Sequence, residues 1–486
     1  MAANPILYAD YPDPDVICVH ETYYMISTSM HMFPGAQLLR SYDMLHWEHC
    51  AYVYDILGET PQQRMDGGHI YGRGMWAATL RHHGGLFHVV FTSNDTHQAY
   101  HYTAKQAEGP WMRQPMTGFW YDPSLLFDGG RVYIAHGNRT IRITELTDDL
   151  SAQKPGGLDR VVVVDTCEGL GWEGSHLVHI GDWYYLFCIH WAKGGMRAMG
   201  CFRAHSLEDD FTGGAFMELD LDDRHAGVAQ GGPLQAADGT WVLLLFQDHG
   251  AVGRIPVVVP FRWEDSWPVV ESIPKQLELP SFRPGYEYAP LYTRHDLGPY
   301  PLSPLWQWNH EPHQELLDTH HGLRLTTDRL AANCTEAINT LTQRCFGPKY
   351  TANVCLHPED MNIGDYAGIC ALQGCFAQLA VTRREDGFRL VYTRRDTASG
   401  EIITEAELPL EVCCLQAAFD FNTDTVQFFA LSDDKGWVKV GQPHRLVYRL
   451  DHFMGCRVGL FMYSTIETGG SAWFTGFTCH VEEEKE

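Results

Sequence analysis

Positive charge is scarce in this chain of 486 residues: 35 Lys and Arg stand against 61 Asp and Glu, a formal net charge of −26. A field of that sign repels polyanions, which excludes nucleic acid and anionic membrane as partners. No run approaches about eighteen uninterrupted apolar residues, so no membrane-spanning helix is expected. The opening MAANPILYADYPDPD has neither a basic nor an apolar leader region, and a cytoplasmic location is expected. Paired CxxC spacing, HExxH and a glycine loop followed by Lys-Ser/Thr are all missing, which removes the support for a metal-ligand cysteine framework, a zincin site or nucleotide hydrolysis. Most of the 14 cysteines sit singly in apolar strands (Cys18, Cys188, Cys201, Cys355, Cys370) and are expected to be free thiols. Helical periodicity is almost absent as well.

Alternating apolar runs rich in Val, Tyr, Phe, Trp and Thr fill the space instead, separated by Gly, Asp, Asn and Pro turns, so the predicted class is all-β. Aromatics reach 12% of the chain, enough to pack sheet cores and to leave flat faces for sugar rings. Around residues 273–305 several prolines interrupt the alternation and mark a crossing between two domains, expected at 1–296 and 297–486. Short strands at roughly ten-residue spacing in the second domain predict a sandwich of two sheets.

The first domain carries a repeat. Asp13, Trp76, Asp122, Glu173 and Gln230 each open a short apolar run and a turn, and ten residues after each anchor comes an alternating strand, at Tyr23, Leu86, Val132, Trp183 and Thr240. Five copies of strand, turn and strand predict a five-bladed β-propeller. If the first strand of each blade is innermost, the five anchors converge on one funnel mouth, and three of them are carboxylates. Two carboxyl groups across a cavity suit glycosidic hydrolysis, in which one protonates the leaving oxygen and the other activates water on the opposite ring face. Blades one and four are not neighbours, so Asp13 and Glu173 should face each other, and a gap of about 6.5–9.5 Å would make the reaction inverting. Asp13 is then the base, Glu173 the acid and Asp122 the charge that keeps Glu173 protonated. Trp76 offers an apolar wall, and Arg254 a cation for sugar hydroxyls or for a carboxylate. Asp-Pro is also a common turn opener, and converging acids can hold calcium; both readings stay open beside the catalytic one.

These segments resemble glycoside hydrolase family 43. NPILYADYPDPDV is similar to the segment carrying that family's general base (Asp13), YDPSLLFDGGRVY to the one carrying the pKa-tuning Asp (Asp122), and WEGSHLVHIGDWYYL to the one carrying the general acid (Glu173). FPGAQLLRSYDMLHW and MWAATLRHHGG resemble the aromatic subsite walls, here Phe33 and Trp76, and VGRIPVVVPFRWEDSWP the stretch whose Arg meets the sugar, here Arg254. LSPLWQWNHEPHQ and NTLTQRCFGPKY are similar to the C-terminal β-sandwich of β-xylosidase and α-L-arabinofuranosidase members, where the sandwich helps close a shallow pocket. The resemblance implies an exo-acting, inverting enzyme releasing L-arabinofuranose or D-xylose from arabinoxylan-derived oligosaccharides of the plant cell wall. No cofactor is required on this reading. A structural calcium at the propeller axis is left open, because Gln230 stands where many members carry a His. An oligomer stays open too, as do two rival functions: an endo-arabinanase of the same fold and a non-hydrolytic sugar-binding propeller.

Overall fold

The computed structural model describes residues 2–222, 224–293, 295–297, 302–409 and 413–482. Among them there is no α-helix, only three short 3-10 turns between β-strands. Blade 1 is built from Asp15–Val19, Thr22–Ser27, Gly35–Ser41 and Glu48–Tyr54, and blade 2 from Met75–His83, Leu86–Ser93, Gln98–Ala104 and Met112–Gln114. Ser124–Asp128 opens blade 3, Gly169–Ile180 opens blade 4 and Val228–Gln235 opens blade 5, each followed by its own antiparallel partners. The five opening strands contact one another in cyclic order, the fifth returning to the first, so each lies at the inner edge of its blade.

Ring closure uses the N-terminus. Blade 5 has three strands, and the segment from Asn4 to Tyr11 runs along its outer strand, Arg254–Pro260. Ile6 N donates to Pro256 O at 3.1 Å and Tyr11 N to Arg254 O at 2.9 Å, while the Asn4 side chain bonds both Val258 N and Val258 O. These bonds satisfy an edge that would otherwise be open.

The second domain packs two large antiparallel sheets face to face. Its strand Lys349–His357 alternates buried with less buried positions, the period-2 pattern of a sheet with one face in the core. The domains share more than a linker. Met32–Phe33, from a blade 1 loop, pairs with Gln307–Asn309 and becomes the last strand of one sandwich sheet. At the other side of the expected boundary, His295–Asp296 already pairs with Phe477–Thr478 of the sandwich, so that domain recruits chain ahead of 297; residues 298–301 lie outside the described residues. Cys355, expected as a free thiol, is joined to Cys414 in a disulfide. The two are direct cross-strand partners, with Cα atoms 4.1 Å apart, and a separation of 59 residues hides that neighbourhood in the sequence.

Candidate active site

The anchor residues sit where the inner strands leave regular geometry. Asp13, Asp122 and Gln230 have positive φ angles of 52°, 45° and 61°. Asp13 and Asp122 each precede a proline, which makes such a conformation costly and marks a place where the surrounding fold imposes it. In blades 2, 4 and 5 the ladder also slips: register shifts fall between Met75 and Ala78, on both sides of Glu173, and between Ala229 and Gly232. A bulge of this kind re-aims a side chain from the sheet face toward the mouth of the barrel. Gly174 (φ 63°) lets the chain turn beside Glu173, since a Cβ there would stand 2.7 Å from the Gln230 side chain.

Asp13, Trp76, Asp122, Glu173, Gln230 and Arg254 line one cavity of about 490 Å³. A larger cavity of about 790 Å³, between the 65–71 loop and the sandwich, contains none of the three acids. Phe33 is not among the lining residues. Its side chain is 1% exposed and packs in the core with Ile26, Leu38 and Tyr54, because the strand it belongs to is tied into the sandwich sheet. The expected aromatic wall at Phe33 is therefore corrected to a core position.

Asp13 is held at both oxygens: Thr28 Oγ1 donates to Oδ2 at 2.7 Å and Arg254 Nη1 to Oδ1 at 2.8 Å. Arg254 also donates from Nε to Asp248, 3.2 Å away, and its guanidinium lies over the rings of Phe246 and Phe453. A second cation stands beside it. Arg197 reaches the same Asp248 through Nε and Nη2, at 3.0 and 2.7 Å, and lines the cavity as well.

Glu173 accepts hydrogen bonds at Oε2 from the Tyr121 hydroxyl, 3.1 Å away, and from Asn138 Nδ2. Asp122 accepts one at Oδ2 from Gly174 N, 3.1 Å away. Burial raises the pKa of Glu173, against the opposing pull of Tyr121, Arg197, Arg254 and Asn138. Burial raises Asp122 well above the ordinary carboxylate range, and the charges of Glu173 and Asp13 push the same way. Asp122 and Glu173 therefore titrate as a pair that keeps a proton beyond the pH at which an exposed carboxyl loses it.

The sandwich supplies the residues hardest to find from sequence. Leu450 and Phe453, from the loop Arg449–Met454, wall one side of the cavity, and Phe453 stacks on Trp76 with ring centroids 5.8 Å apart. Tyr121 stands edge-on to Trp76 at 6.0 Å, and Trp191 and Leu170 complete the apolar lining. Such an arrangement can bind one sugar ring between apolar faces and surround it with three carboxyl groups and two guanidinium groups.

The inner strands of blades 1 to 4 are joined by protein charge. Arg81 Nη1 donates to Asp15 Oδ2 at 2.7 Å, and Arg81 also reaches Ser124 Oγ and Leu125 O. His176 Nδ1 lies 3.5 Å from Asp15 Oδ1. Calcium takes six to eight oxygen ligands. Here the carboxylate of Asp15, the Ser124 hydroxyl and the Leu80 and Leu125 carbonyl oxygens are already bonded to the Arg81 guanidinium, an arrangement that does not fit that ion among them.

Residues 2–268 match the family model for glycosyl hydrolases family 43, and residues 299–480 match the model for the β-xylosidase C-terminal concanavalin A-like domain. The chain belongs to glycosyl hydrolase family 43. This family 43 glycosidase is 26% identical to a β-xylosidase of Formosa agariphila over 97% of its own length and 89% of that protein. It is 23% identical to a non-reducing end α-L-arabinofuranosidase of Bacteroides ovatus, over 88% of this chain and 86% of the relative. Among solved structures, a bifunctional GH43-CE protein of Bacteroides eggerthii superposes with a TM-score of 0.90 at 36% identity; the match covers 99% of this chain and 64% of that one.

Proposed function

We propose that this glycosidase removes a terminal L-arabinofuranose or D-xylose from arabinoxylan-derived oligosaccharides by direct attack of water. The observation that carries the reading is the single cavity in which three buried acids from blades 1, 3 and 4 meet Trp76 and are walled by Phe453 and Leu450. A pocket walled by the second domain suits a chain end better than the middle of a chain. The names of the β-xylosidase and arabinofuranosidase relatives support the sugar class.

In this mechanism Glu173 gives its proton to the departing glycosidic oxygen while Asp13 takes a proton from the attacking water. Thr28 and Arg254 orient the Asp13 carboxylate, and Tyr121 and Asn138 orient Glu173. The experiment is hydrolysis of aryl arabinofuranoside, aryl xyloside and arabinoxylan oligosaccharides with the first-formed anomer read by proton NMR. Inverted pentose as the initial product is expected. A retained anomer would refute direct water attack, and binding of oligosaccharides with no cleavage of any aryl pentoside would favour a sugar-binding protein instead.

Three further outcomes follow from the electrostatics of the propeller. Asp122→Asn keeps an acceptor for Gly174 N and removes a charge that disfavours ionisation of Glu173, so the alkaline limb of the pH–kcat profile should move to lower pH. The same variant should be more stable at neutral pH. A carboxyl whose folded pKa is raised costs stability as pH climbs from its unfolded value through its folded one, and Asn escapes that cost. A gain of about 0.5–2 kcal/mol is the usual size of such a release, read as a higher melting midpoint. The blades, bridged by Arg81, need no calcium in this reading: adding Ca²⁺ to the EDTA-treated enzyme should change neither turnover nor melting, and restoration of lost activity by added calcium would refute it.

A further inference from the structure

Next in the chain to Leu170 and Trp191, which line the cavity, lies a second group of reactive side chains that the glycosidase mechanism does not use. Asp165, Cys167 and His190 present one carboxylate oxygen, one sulfur and one imidazole nitrogen, all within 4.8 Å of one another, and each residue is only partly buried. Asp165 and Cys167 lie in the short loop between the last strand of blade 3 and the strand that carries Glu173, and His190 sits on the neighbouring strand Trp183–Ala192. His190 Nδ1 is 2.9 Å from Asp165 Oδ2 and 3.7 Å from Cys167 Sγ. Stacking on Trp172, with centroids 4.5 Å apart, fixes the imidazole plane, and the bond from Cys167 N to Asp165 Oδ1 at 2.7 Å fixes the loop.

From this geometry we infer a binding site for a thiophilic divalent cation, of which Zn²⁺ is the type. Tetrahedral zinc with the usual bond lengths of about 2.0–2.3 Å sets its ligand atoms about 3.3 Å apart for N and O and about 3.6 Å apart for N and S. The N–S edge is present already, and the N–O edge needs to open by a few tenths of an ångström. Three protein ligands leave the fourth position to water. A sulfur and an imidazole donor select zinc over calcium and magnesium, which prefer oxygen alone. On binding, the Cys167 thiol releases its proton to solvent as the metal–sulfur bond forms, and the His190 proton shared with Asp165 leaves Nδ1 and is taken up at Nε2 by way of solvent, which frees the Nδ1 lone pair for the metal. Asp165 Oδ2 also accepts from Trp172 N at 3.0 Å, so the cation would sit at the root of the strand bearing Glu173 without touching the catalytic cavity.

The test uses the full chain, reduced and freed of metal by a chelator, titrated with Zn²⁺ by calorimetry and with Co²⁺ by absorption. One Zn²⁺ per chain is expected, with a thiolate-to-cobalt charge-transfer band. Both should be lost in Cys167→Ser and in His190→Gln and retained in Cys18→Ser. An unchanged Zn²⁺ isotherm in Cys167→Ser, or cobalt bound with no charge-transfer band, overturns the site. Alkylation of the parent protein provides a readout that needs no variant: Zn²⁺ should protect Cys167 from iodoacetamide in peptide mass spectra, and equal labelling with and without Zn²⁺ also overturns it.

Discussion

Glu173→Ala is expected to lower kcat on unactivated xylo- and arabino-oligosaccharides by roughly 10²–10⁴-fold, the usual worth of a positioned general acid. The loss should depend on the leaving group. A sugar alkoxide departs slowly without a proton, whereas an activated phenolate needs little help, so the variant should keep much more of its turnover on an activated aryl pentoside. Burial raises the Glu173 carboxyl, and that proton is what the natural substrate needs. The alkaline limb of the wild-type profile should accordingly vanish in the variant on the aryl substrate. If natural and activated substrates lost turnover equally, Glu173 would be shaping the pocket rather than donating a proton. Glu173→Gln offers the control: it keeps an oxygen for Tyr121 and Asn138 and should behave as the Ala variant does.

The five-blade architecture was legible because its signal is repeated. An anchor followed by a strand ten residues on is weak evidence once, but five occurrences constrain one another, and the inner strands close into the ring that pattern requires. Asp13, Trp76, Asp122, Glu173 and Gln230 converge because equivalent positions in a closed ring must face a common axis. Contacts made across the ring or across the domain boundary leave no such trace. Arg197 meets Arg254 only through Asp248, in another blade, and Asn138 reaches Glu173 from a turn in blade 3. Phe453 enters from a sandwich loop whose sequence, YRLDHFMG, has no periodicity to read. Phe33 shows the reverse error: a motif match fixed its neighbourhood but not its direction, and pairing of Met32–Phe33 with the sandwich turned it into the core.

Asp13→Ala should abolish turnover on every substrate, activated or not, because the attacking water needs its base whatever the leaving group; a fall of roughly 10²–10⁴-fold or more is expected. That indifference to leaving group separates it from Glu173→Ala. The variant also strands Arg254. With Asp13 gone, the Nη1 bond of 2.8 Å is lost and Asp248 is left as the carboxylate bonded to that guanidinium, 7% exposed and packed under Phe453. Leaving one member of a buried pair unpaired costs stability, about 3–5 kcal/mol where no other partner exists and less here because Asp248 remains. Asp13→Asn avoids most of that cost by keeping an oxygen for Arg254, while its amide N–H faces the Thr28 hydroxyl, which can turn to accept. The informative comparison is therefore between the two variants: Asn should melt close to the parent and Ala below it, while both lose turnover to the same degree. Recovery of activity in Asp13→Asn with unaltered folding would mean that the base lies elsewhere in the cavity.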